Sequence, residues 1–238
     1  MDISVIIPAY NEEKRISKTL IAIDSYCKKS NFDYEILVVN DGSTDSTVKV
    51  VENLKIDNLK IIDNDKNIGK GCVVRQGLLA GKGKYRIFAD ADNATPIDQL
   101  DKFLPYINQF DVIIGSRSIE GAKIAVYQSM HRRLLGKLYK VCVKSIVGLY
   151  GIKDTQCGFK LLNAKSTENI LKKSVINGLS VDVEILVIAK QLGYRIKEVP
   201  VLWSNDAASR VNYRRMQQMG FDLLRIRWNA LMGKYKKT

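Results

Sequence analysis

Five short apolar runs rich in Val and Ile recur along the first half of the chain. They read ISVIIPA (3–9), YEILVVN (34–40), LKIID (59–63), YRIFA (85–89) and DVIIG (111–115). Unbroken apolar runs of this length are typical of strands that are buried on both faces, as in a parallel sheet. We therefore predict a mainly parallel sheet that contains these five strands.

Helix-like segments separate the runs, at about 12–29, 45–54, 70–81 and 97–109. The pair Thr95 and Pro96 resembles the start of a helix. Strands that alternate with helices form right-handed βαβ units, in which helices cover both faces of the sheet. The pattern predicts the α/β class.

The second half of the chain is less regular. We predict a helix at 128–150, a helix near 180–192, a strand over IKEVPVLW and a final helix at about 212–235. In the first of these helices four basic residues share one stripe, because they follow one another at steps of four, three and four. They are Arg133, Lys137, Lys140 and Lys144, and the adjoining face carries Leu134, Leu138, Val141, Ser145 and Leu149.

Polar clusters follow four of the predicted strands. PAYNEE follows the first strand, NDGSTD the second, DADNAT the fourth and GSR the fifth. Ligands of open α/β sheets bind outside the carboxyl ends of the strands. Each cluster alone fits a polar turn, but the four together favour a ligand site at one edge of the sheet.

Two carboxylates, Asp90 and Asp92, lie two residues apart where the fourth strand ends. Like charges at this spacing repel and raise each other's pKa, so a compensating charge is expected. Mg²⁺ and Mn²⁺ prefer oxygen ligands and often complete their coordination with phosphates, so an ion here would bridge a diphosphate leaving group. An acidic turn at a helix N-terminus fits the same three residues.

A glycine-containing loop, NIGKGCVVRQG (67–77), follows the third strand. Gly69 and Gly71 permit close backbone approach, and Lys70 is placed to contact phosphate. The loop is neither a Walker loop nor a dinucleotide fingerprint, because GK[ST] is absent and GxGxxG fails at Val74. A flexible loop with a solvated lysine is the alternative interpretation.

The net charge of +13 calls for an anionic partner, such as a nucleic acid, a phosphorylated ligand or lipid headgroups. The four cysteines form no CxxC pair, which favours reduced, mostly buried thiols in a cytosolic protein. The chain enters its first strand without a signal peptide, and no apolar run reaches 18 residues. We therefore predict no transmembrane segment, and no Pro/Ser-rich linker divides the chain.

The motifs VIIPAYNEEKRI, VVNDGSTDST, NIGKGCVVRQG, ADADNATP and GSR, in this order, resemble the family 2 glycosyltransferases of GT-A fold. Downstream, IKDTQCGFKLL, SVDVEILVIAKQLGYRIKEVPVLW and SRVN are similar to the polyprenyl-phosphate branch, and most of all to its dolichyl-phosphate glucosyltransferases. The resemblance implies one GT-A (Rossmann-like) domain over 1–238, with amphipathic C-terminal helices. Within it we expect a nucleotide-sugar half (1–117), an acceptor half (118–210) and a basic amphipathic segment (211–238).

The resemblance also implies the roles of individual residues. Asp90 and Asp92 would hold Mg²⁺ or Mn²⁺, with Asp92 the main ligand, although Ala94 replaces a polar ligand that some relatives carry. Catalytic roles fall to Asp92, Arg117 and Asp154, with Arg117 holding phosphate. The implied donor-binding residues are Pro8, Ala9, Tyr10, Glu12, Asp41, Lys70, Asp90, Ala91 and Asp92; the implied acceptor-binding residues are Arg117, Arg132, Arg133, Gln156, Ser209 and Arg210.

The mechanism expected from this resemblance is inverting transfer of a hexose to dolichyl or another polyprenyl phosphate. A phosphate monoester is mostly dianionic at pH 7, so its oxygen attacks without a general base. His131 is then a surface or phosphate-contacting residue. UDP-glucose is the expected donor, and GDP-mannose is the alternative.

The 128–150 helix fits a basic interfacial helix that lies in anionic headgroups, and Arg225, Arg227 and Trp228 add to such a surface. We expect peripheral attachment to the cytoplasmic face of a membrane, without the anchor of eukaryotic relatives. A helix that packs its Leu face on the core is the alternative.

Two further classes compete with a glycosyltransferase. A basic nucleic-acid-binding protein is disfavoured because the basic residues adjoin an apolar face and no helix-turn-helix or RNA-binding motif is present. A sugar nucleotidyltransferase is disfavoured because its glycine- and arginine-rich loop is missing after the first strand.

Overall fold

A seven-stranded sheet forms the centre of the computed structural model, in the order β3-β2-β1-β4-β7-β5-β8. The structure describes residues 1–126, 130–204 and 213–236, without the side chains of 131–133 and 213–215. The strands of this sheet are β1 (Ile3–Ala9), β2 (Tyr34–Asp41), β3 (Leu59–Asn64), β4 (Tyr85–Ala89), β5 (Val112–Ser116), β7 (Phe159–Asn163) and β8 (Ile196–Pro200). A separate pair joins β6 (Lys123–Val126) to β9 (Leu202–Ser204).

Helices cover both faces of the sheet, and each face has its own apolar core. Alternate side chains of β1 show this, because Ile6 packs in one core and Val5 and Ile7 pack in the other. One face carries α1 (Ile16–Lys29), α2 (Thr47–Glu52) and two 3₁₀ helices (Ile97–Lys102 and Leu104–Tyr106). The other face carries α3 (Lys70–Ala80), α4 (Met130–Val147), α5 (Ala164–Leu171), α6 (Val181–Gln191) and α7 (Tyr213–Leu231).

The five predicted strands are confirmed, and the α/β class with a mainly parallel sheet is confirmed with them. The predicted helix at 97–109 is wrong: two short 3₁₀ helices occupy it, because Pro105 has no N–H group for a continuous helix. The predicted single strand at 196–203 divides after Pro200, so that β8 pairs with β5 and β9 pairs with β6.

One strand of the central sheet runs against the others. β7 lies antiparallel between β4 and β5, with Phe159 paired to Ala89 and Lys160 to Ile114. The loop that precedes β7 therefore lies at the edge where the parallel strands end. Neither β7 nor α5 was predicted from the sequence.

The predicted free thiols are present, although Cys72 and Cys142 are half-buried and not buried. All four cysteines are free, with Cys27 and Cys157 buried, and burial raises the pKa of Cys157 to about 11. Within the described ranges, no helix combines the length and the apolar character needed to cross a bilayer.

The buried carboxylate of Glu184 ties three distant parts of the chain together. It accepts hydrogen bonds from the Ser174 hydroxyl (2.5 Å) and from the backbone N–H groups of Val175 (2.9 Å) and Ile176 (3.0 Å). The hydroxyl of Tyr235, which is also buried, donates to the same carboxylate over 2.7 Å. Glu184 thus connects α6 to the 174–176 loop and to the segment that follows α7.

We expect Tyr235→Phe to lower the free energy of unfolding by about 2 kcal/mol, because it removes a buried hydrogen bond to a charged acceptor. Urea denaturation followed by circular dichroism measures this change. Tyr150→Phe is the matched control, since Tyr150 is exposed and should change stability by less than about 0.5 kcal/mol. Equal stability of the two variants would show that the Glu184 contact contributes nothing.

Candidate active site

A cavity of about 530 Å³ opens at the carboxyl ends of β1, β2 and β4. All nine residues predicted to bind a donor line it, so the convergence expected from the polar clusters is observed for three of the four strands. These residues are Pro8, Ala9, Tyr10, Glu12, Asp41, Lys70, Asp90, Ala91 and Asp92. Their individual roles remain predictions.

The glycine loop is held in place by hydrogen bonds to Asp41 and to the backbone of Asn177. Oδ1 of Asp41 accepts hydrogen bonds from the backbone N–H groups of Ile68 (2.7 Å) and Gly69 (3.0 Å). Gly69 has a φ of +97°, and a Cβ there would lie 2.4 Å from the carbonyl oxygen of Asn177. The N–H of Gly71 donates to the same oxygen over 2.8 Å. The interpretation as a flexible loop is therefore wrong.

The ammonium group of Lys70 pairs with Asp90 instead of standing in solvent, and the Nζ–Oδ1 distance is 2.7 Å. Burial would lower the pKa of Lys70, but the charges of Asp90 and then Asp182 outweigh burial and raise it. On its other side Asp90 lies against Gly158, where a Cβ would come within 2.0 Å of Oδ2. The position of this carboxylate thus depends on a lysine and on a missing side chain.

Asp92 forms no ion pair within the described part of the chain, although the charges of Arg15 and Lys70 favour its ionised form. Its Oδ1 accepts one hydrogen bond, from the backbone N–H of Ala94 over 2.9 Å. Burial and then the charge of Asp90 raise the pKa of Asp92. The chemistry of this donor set fits a hard divalent cation, because two neighbouring carboxylates supply oxygen ligands and only Asp90 of the two forms an ion pair.

The protein ligands alone would not complete the coordination of such an ion. Among the described residues, no group of three or more His, Cys, Asp or Glu side chains is placed to hold a metal. The remaining ligands would then come from diphosphate oxygens and water, as the alanine at position 94 also indicates.

Arg117 and Asp154 pair with each other and lie outside the residues that line the cavity. The guanidinium donates from Nε to Oδ2 over 2.7 Å and from Nη2 to Oδ1 over 2.9 Å, and it stacks 5.3 Å above the ring of Trp203. Burial alone would raise the pKa of Asp154, but the hydrogen bonds and charge of Arg117 hold it well below its usual range. Arg117 is thus a fixed cation near Asp90. Burial would lower the pKa of Arg117, but the hydrogen bonds and charge of Asp154, together with the charge of Asp90, raise it.

The predicted acceptor residues are only partly covered by the structure. Gln156 follows Asp154 in the loop before β7 and is half-buried, so it lies on the same edge as Asp90. Ser209 and Arg210 lie outside the described residues, as do the side chains of His131, Arg132 and Arg133.

Sequence reasoning missed one wall of the cavity and one buried ion pair. The missed wall comes from the segment before α6 and from α7, and the pair joins Lys160 of β7 to Asp182 of α6. Arg15 pairs with Glu12 and lies in the motif VIIPAYNEEKRI, but no role was assigned to it. The residues of the cavity lining to which no donor-binding role was assigned are Arg15, Asn67, Ile68, Gly69, Val73, Asn177, Gly178, Leu179, Gln218 and Met219.

We expect Asp154→Asn to destabilise the protein by about 3–5 kcal/mol at pH 7, because it leaves the half-buried Arg117 charge without its buried partner. The folded-state pKa of Asp154 lies below its unfolded value, so its stabilisation is present above about pH 4 and is lost as the pH falls further. Urea unfolding of the wild type and the Asp154→Asn variant from pH 3 to 7 should show that the difference between their free energies of unfolding becomes smaller toward pH 3. A difference that is constant with pH would contradict the ion-pair assignment. Asp57→Asn, at an exposed position, is the control.

Comparisons with known proteins agree with this geometry. Residues 4–171 match the family described as Glycosyl transferase family 2. A dolichyl-phosphate beta-glucosyltransferase of Trichomonas vaginalis is 36% identical over 93% of this chain and 69% of its own length. The Homo sapiens protein of the same name is 34% identical over 98% of this chain and 77% of its own length.

Solved structures share the fold at low sequence identity. Glucosyl-3-phosphoglycerate synthase from Mycobacterium tuberculosis, in complex with UDP, superposes with a TM-score of 0.68 at 18% identity, over 96% of this chain and 79% of that chain. Mannosyl-3-phosphoglycerate synthase from Rubrobacter xylanophilus gives 0.72 at 15% identity, over 100% and 76%. The sheet order, the cavity at its carboxyl edge and these matches together show that the chain is a glycosyltransferase of GT-A fold and belongs to glycosyl transferase family 2.

Proposed function

We propose that this glycosyltransferase moves a hexose from a nucleotide sugar to dolichyl or another polyprenyl phosphate, with UDP-glucose as the donor. The observation that carries the proposal is the cavity, which brings a phosphate-compatible lysine and two carboxylates to one sheet edge. The relatives support the acceptor, since they are named dolichyl-phosphate beta-glucosyltransferases. A solved relative of the same fold in complex with UDP supports a uridine donor.

The donor would lie along the cavity from β1 to β4. Pro8, Ala9 and Tyr10 offer backbone and ring surface for the nucleoside. One carboxylate oxygen of Asp41 accepts hydrogen bonds from the backbone of the glycine loop, and these bonds fix the loop at this end of the cavity. Lys70 then lies beside the two aspartates, where the diphosphate would be held by opposite charge.

Asp90 and Asp92 would hold Mg²⁺ or Mn²⁺ together with the diphosphate. A solved relative of this fold in complex with Mn²⁺, UDP and phosphoglyceric acid supports the choice of ion. When bound, the ion would supply positive charge opposite the leaving diphosphate. The Lys70 ammonium stabilises the same charge from the side of the glycine loop and holds Asp90 in place.

The acceptor would need positioning more than proton abstraction. Its phosphate is mostly dianionic at pH 7, so an oxygen can attack the anomeric carbon opposite the departing diphosphate and invert it. Arg117, fixed by Asp154 and Trp203, is a half-buried cation on the β5 side of the site. We assign it to the acceptor phosphate, in agreement with the resemblance.

A polyprenyl phosphate acceptor lies in a membrane, and α4 and α7 would contact the surface of that membrane. These helices pack against each other, and both present large apolar side chains to the outside. Leu134 of α4 is 70% exposed and Phe221 of α7 is 72% exposed, so the part of the Leu face at 134–141 does not pack on the core, whereas Leu149, beyond the end of α4, is buried in it. The exposed apolar residues of the two helices are Met130, Leu134, Leu135, Leu138, Val141, Phe221, Leu224, Trp228 and Leu231.

Basic residues flank this apolar surface and suit anionic headgroups. Lys137, Arg225 and Arg227 are exposed, while Lys140 donates to the Ser118 hydroxyl over 2.6 Å. Each basic residue near an anionic surface contributes about 1 kcal/mol, which falls with ionic strength. An exposed apolar patch rimmed by cations is typical of proteins that lie on a bilayer.

Transfer of radiolabelled sugar to a short polyprenyl phosphate tests the proposed activity. We expect label in the organic phase from UDP-glucose with Mg²⁺ or Mn²⁺, and its loss when a chelator is added. Label from GDP-mannose alone would overturn the proposed donor. No lipid-linked label from either donor would overturn the acceptor.

Asp92→Ala, measured in the same assay, tests the proposed metal-binding role of Asp92. We expect it to lower turnover at least 100-fold without loss of the fold, because it removes a charge that would act on the leaving group. Asp57→Ala, at an exposed position, is the matched control. Unchanged turnover of the Asp92→Ala variant would contradict the proposed role of Asp92 in metal binding.

We expect the double variant Leu224→Ser and Trp228→Ser to bind anionic vesicles at least about tenfold more weakly, because each apolar side chain contributes about 1.5 kcal/mol or more on burial. Co-sedimentation at two salt concentrations measures the binding. Ile21→Ser is the control, since Ile21 is half-exposed on α1, on the other face of the sheet. Equal binding of the wild type and the double variant would contradict the membrane assignment.

A further inference from the structure

The inner face of α7 forms part of the cavity wall. Gln218 and Met219 line the cavity, together with Gly178 from the segment before α6. Asp222, one turn further along α7, is buried to all but 9% of its surface. Its Oδ2 atom has no hydrogen-bond partner in the part of the chain that the structure describes.

The missing side chain of Gly178 leaves this carboxylate next to the cavity wall. A Cβ at position 178 would lie 3.0 Å from Oδ2 of Asp222 and 3.4 Å from Nε2 of Gln218. A carboxylate oxygen and an amide nitrogen therefore face the same point on the wall, where only glycine leaves room. This arrangement provides one hydrogen-bond acceptor and one donor side by side.

A buried carboxylate oxygen without a partner is unfavourable, so its presence needs a reason. A hydrogen bond with Ser180 and the charge of Arg225 favour the charged form of Asp222, and the charge of Glu184 opposes it. Burial outweighs these influences and raises the pKa of Asp222. A ligand hydroxyl would donate the missing hydrogen bond.

We infer that Asp222 and Gln218 form a subsite that binds hydroxyl groups of the donor's sugar. The inference rests on the proposed function and assigns one wall of its cavity. Pro8 to Tyr10 and Asp41 line the same cavity and suit the nucleoside, which leaves the sugar as the part of the donor for Asp222 and Gln218. Sugar hydroxyls both donate and accept, which matches a carboxylate beside an amide.

Calorimetric titration of the full chain with UDP and with UDP-glucose tests this subsite. We expect Asp222→Asn to weaken binding of UDP-glucose at least about tenfold while binding of UDP stays unchanged, because UDP lacks the sugar hydroxyls that the subsite would bind. Gly178→Ala should cause the same selective loss, since its methyl group fills the space in front of the carboxylate. Gln217→Ala, an exposed neighbour on α7, is the control and should leave both affinities unchanged.

Thermal unfolding of the same variants separates recognition from a structural role. Asp222→Asn should keep or raise the melting temperature, because it replaces an unpartnered charge with a neutral group. A lower melting temperature with an unchanged ratio of UDP to UDP-glucose affinity would overturn the subsite, as would equal weakening of both ligands.

The same titrations with GDP and GDP-mannose distinguish failure of the subsite from failure of the proposed function. Selective weakening of GDP-mannose in the Asp222 and Gly178 variants would uphold the subsite and overturn the UDP-glucose donor. A wild-type chain that binds neither nucleotide sugar would overturn the proposed donor class and the subsite with it.

Discussion

The direction of β7 determines which charged groups meet at the functional edge of the sheet. β4 and β5 end at this edge, whereas β7, antiparallel between them, begins there. The loop before β7 therefore brings Gly158 against Asp90 and Asp154 against Arg117. A parallel strand in this place would carry the same loop to the opposite edge, so Gly158 would not lie against Asp90 and Asp154 would not meet Arg117.

Pairing of opposite charges makes this edge compatible with a folded protein. Lys70 pairs with Asp90, Arg117 with Asp154 and Lys160 with Asp182, and each pair joins elements that are far apart in sequence. Burial of single charges is costly, so the three pairs fix the relative positions of the β4, β5, β7 and α6 ends. Asp92 stands outside these pairs, which concentrates the unbalanced negative charge of the edge on one carboxylate.

The sequence was most informative where one kind of local pattern decides the structure. The five Val- and Ile-rich runs are strands because they are buried on both faces, and the polar residues that follow three of them line the cavity. The helix expected at 97–109 failed because Pro105 removes a backbone donor, which outweighs the apolar spacing. β7 was not predicted, since its five residues carry a lysine that is fully buried only through its pairing with Asp182.

The α7 wall could not be found from the sequence for a different reason. Gln218 and Met219 belong to no motif, and they reach the cavity only because α7 packs on α4 and α6. Contacts of this kind depend on the whole fold. The roles assigned by resemblance at Ser209 and Arg210 lie outside the described residues and stay predictions.

The two faces of α7 restrict the evolution of this helix. Its inner positions, such as Asp222, Leu223 and Ile226, are fixed by the core and the cavity, while its outer positions, such as Phe221 and Trp228, are large and apolar. Few positions of the helix are therefore free to drift, because most substitutions would disturb one environment or the other. We expect sequence variation along α7 to be slower than on α1, where an ordinary solvated face tolerates exchange.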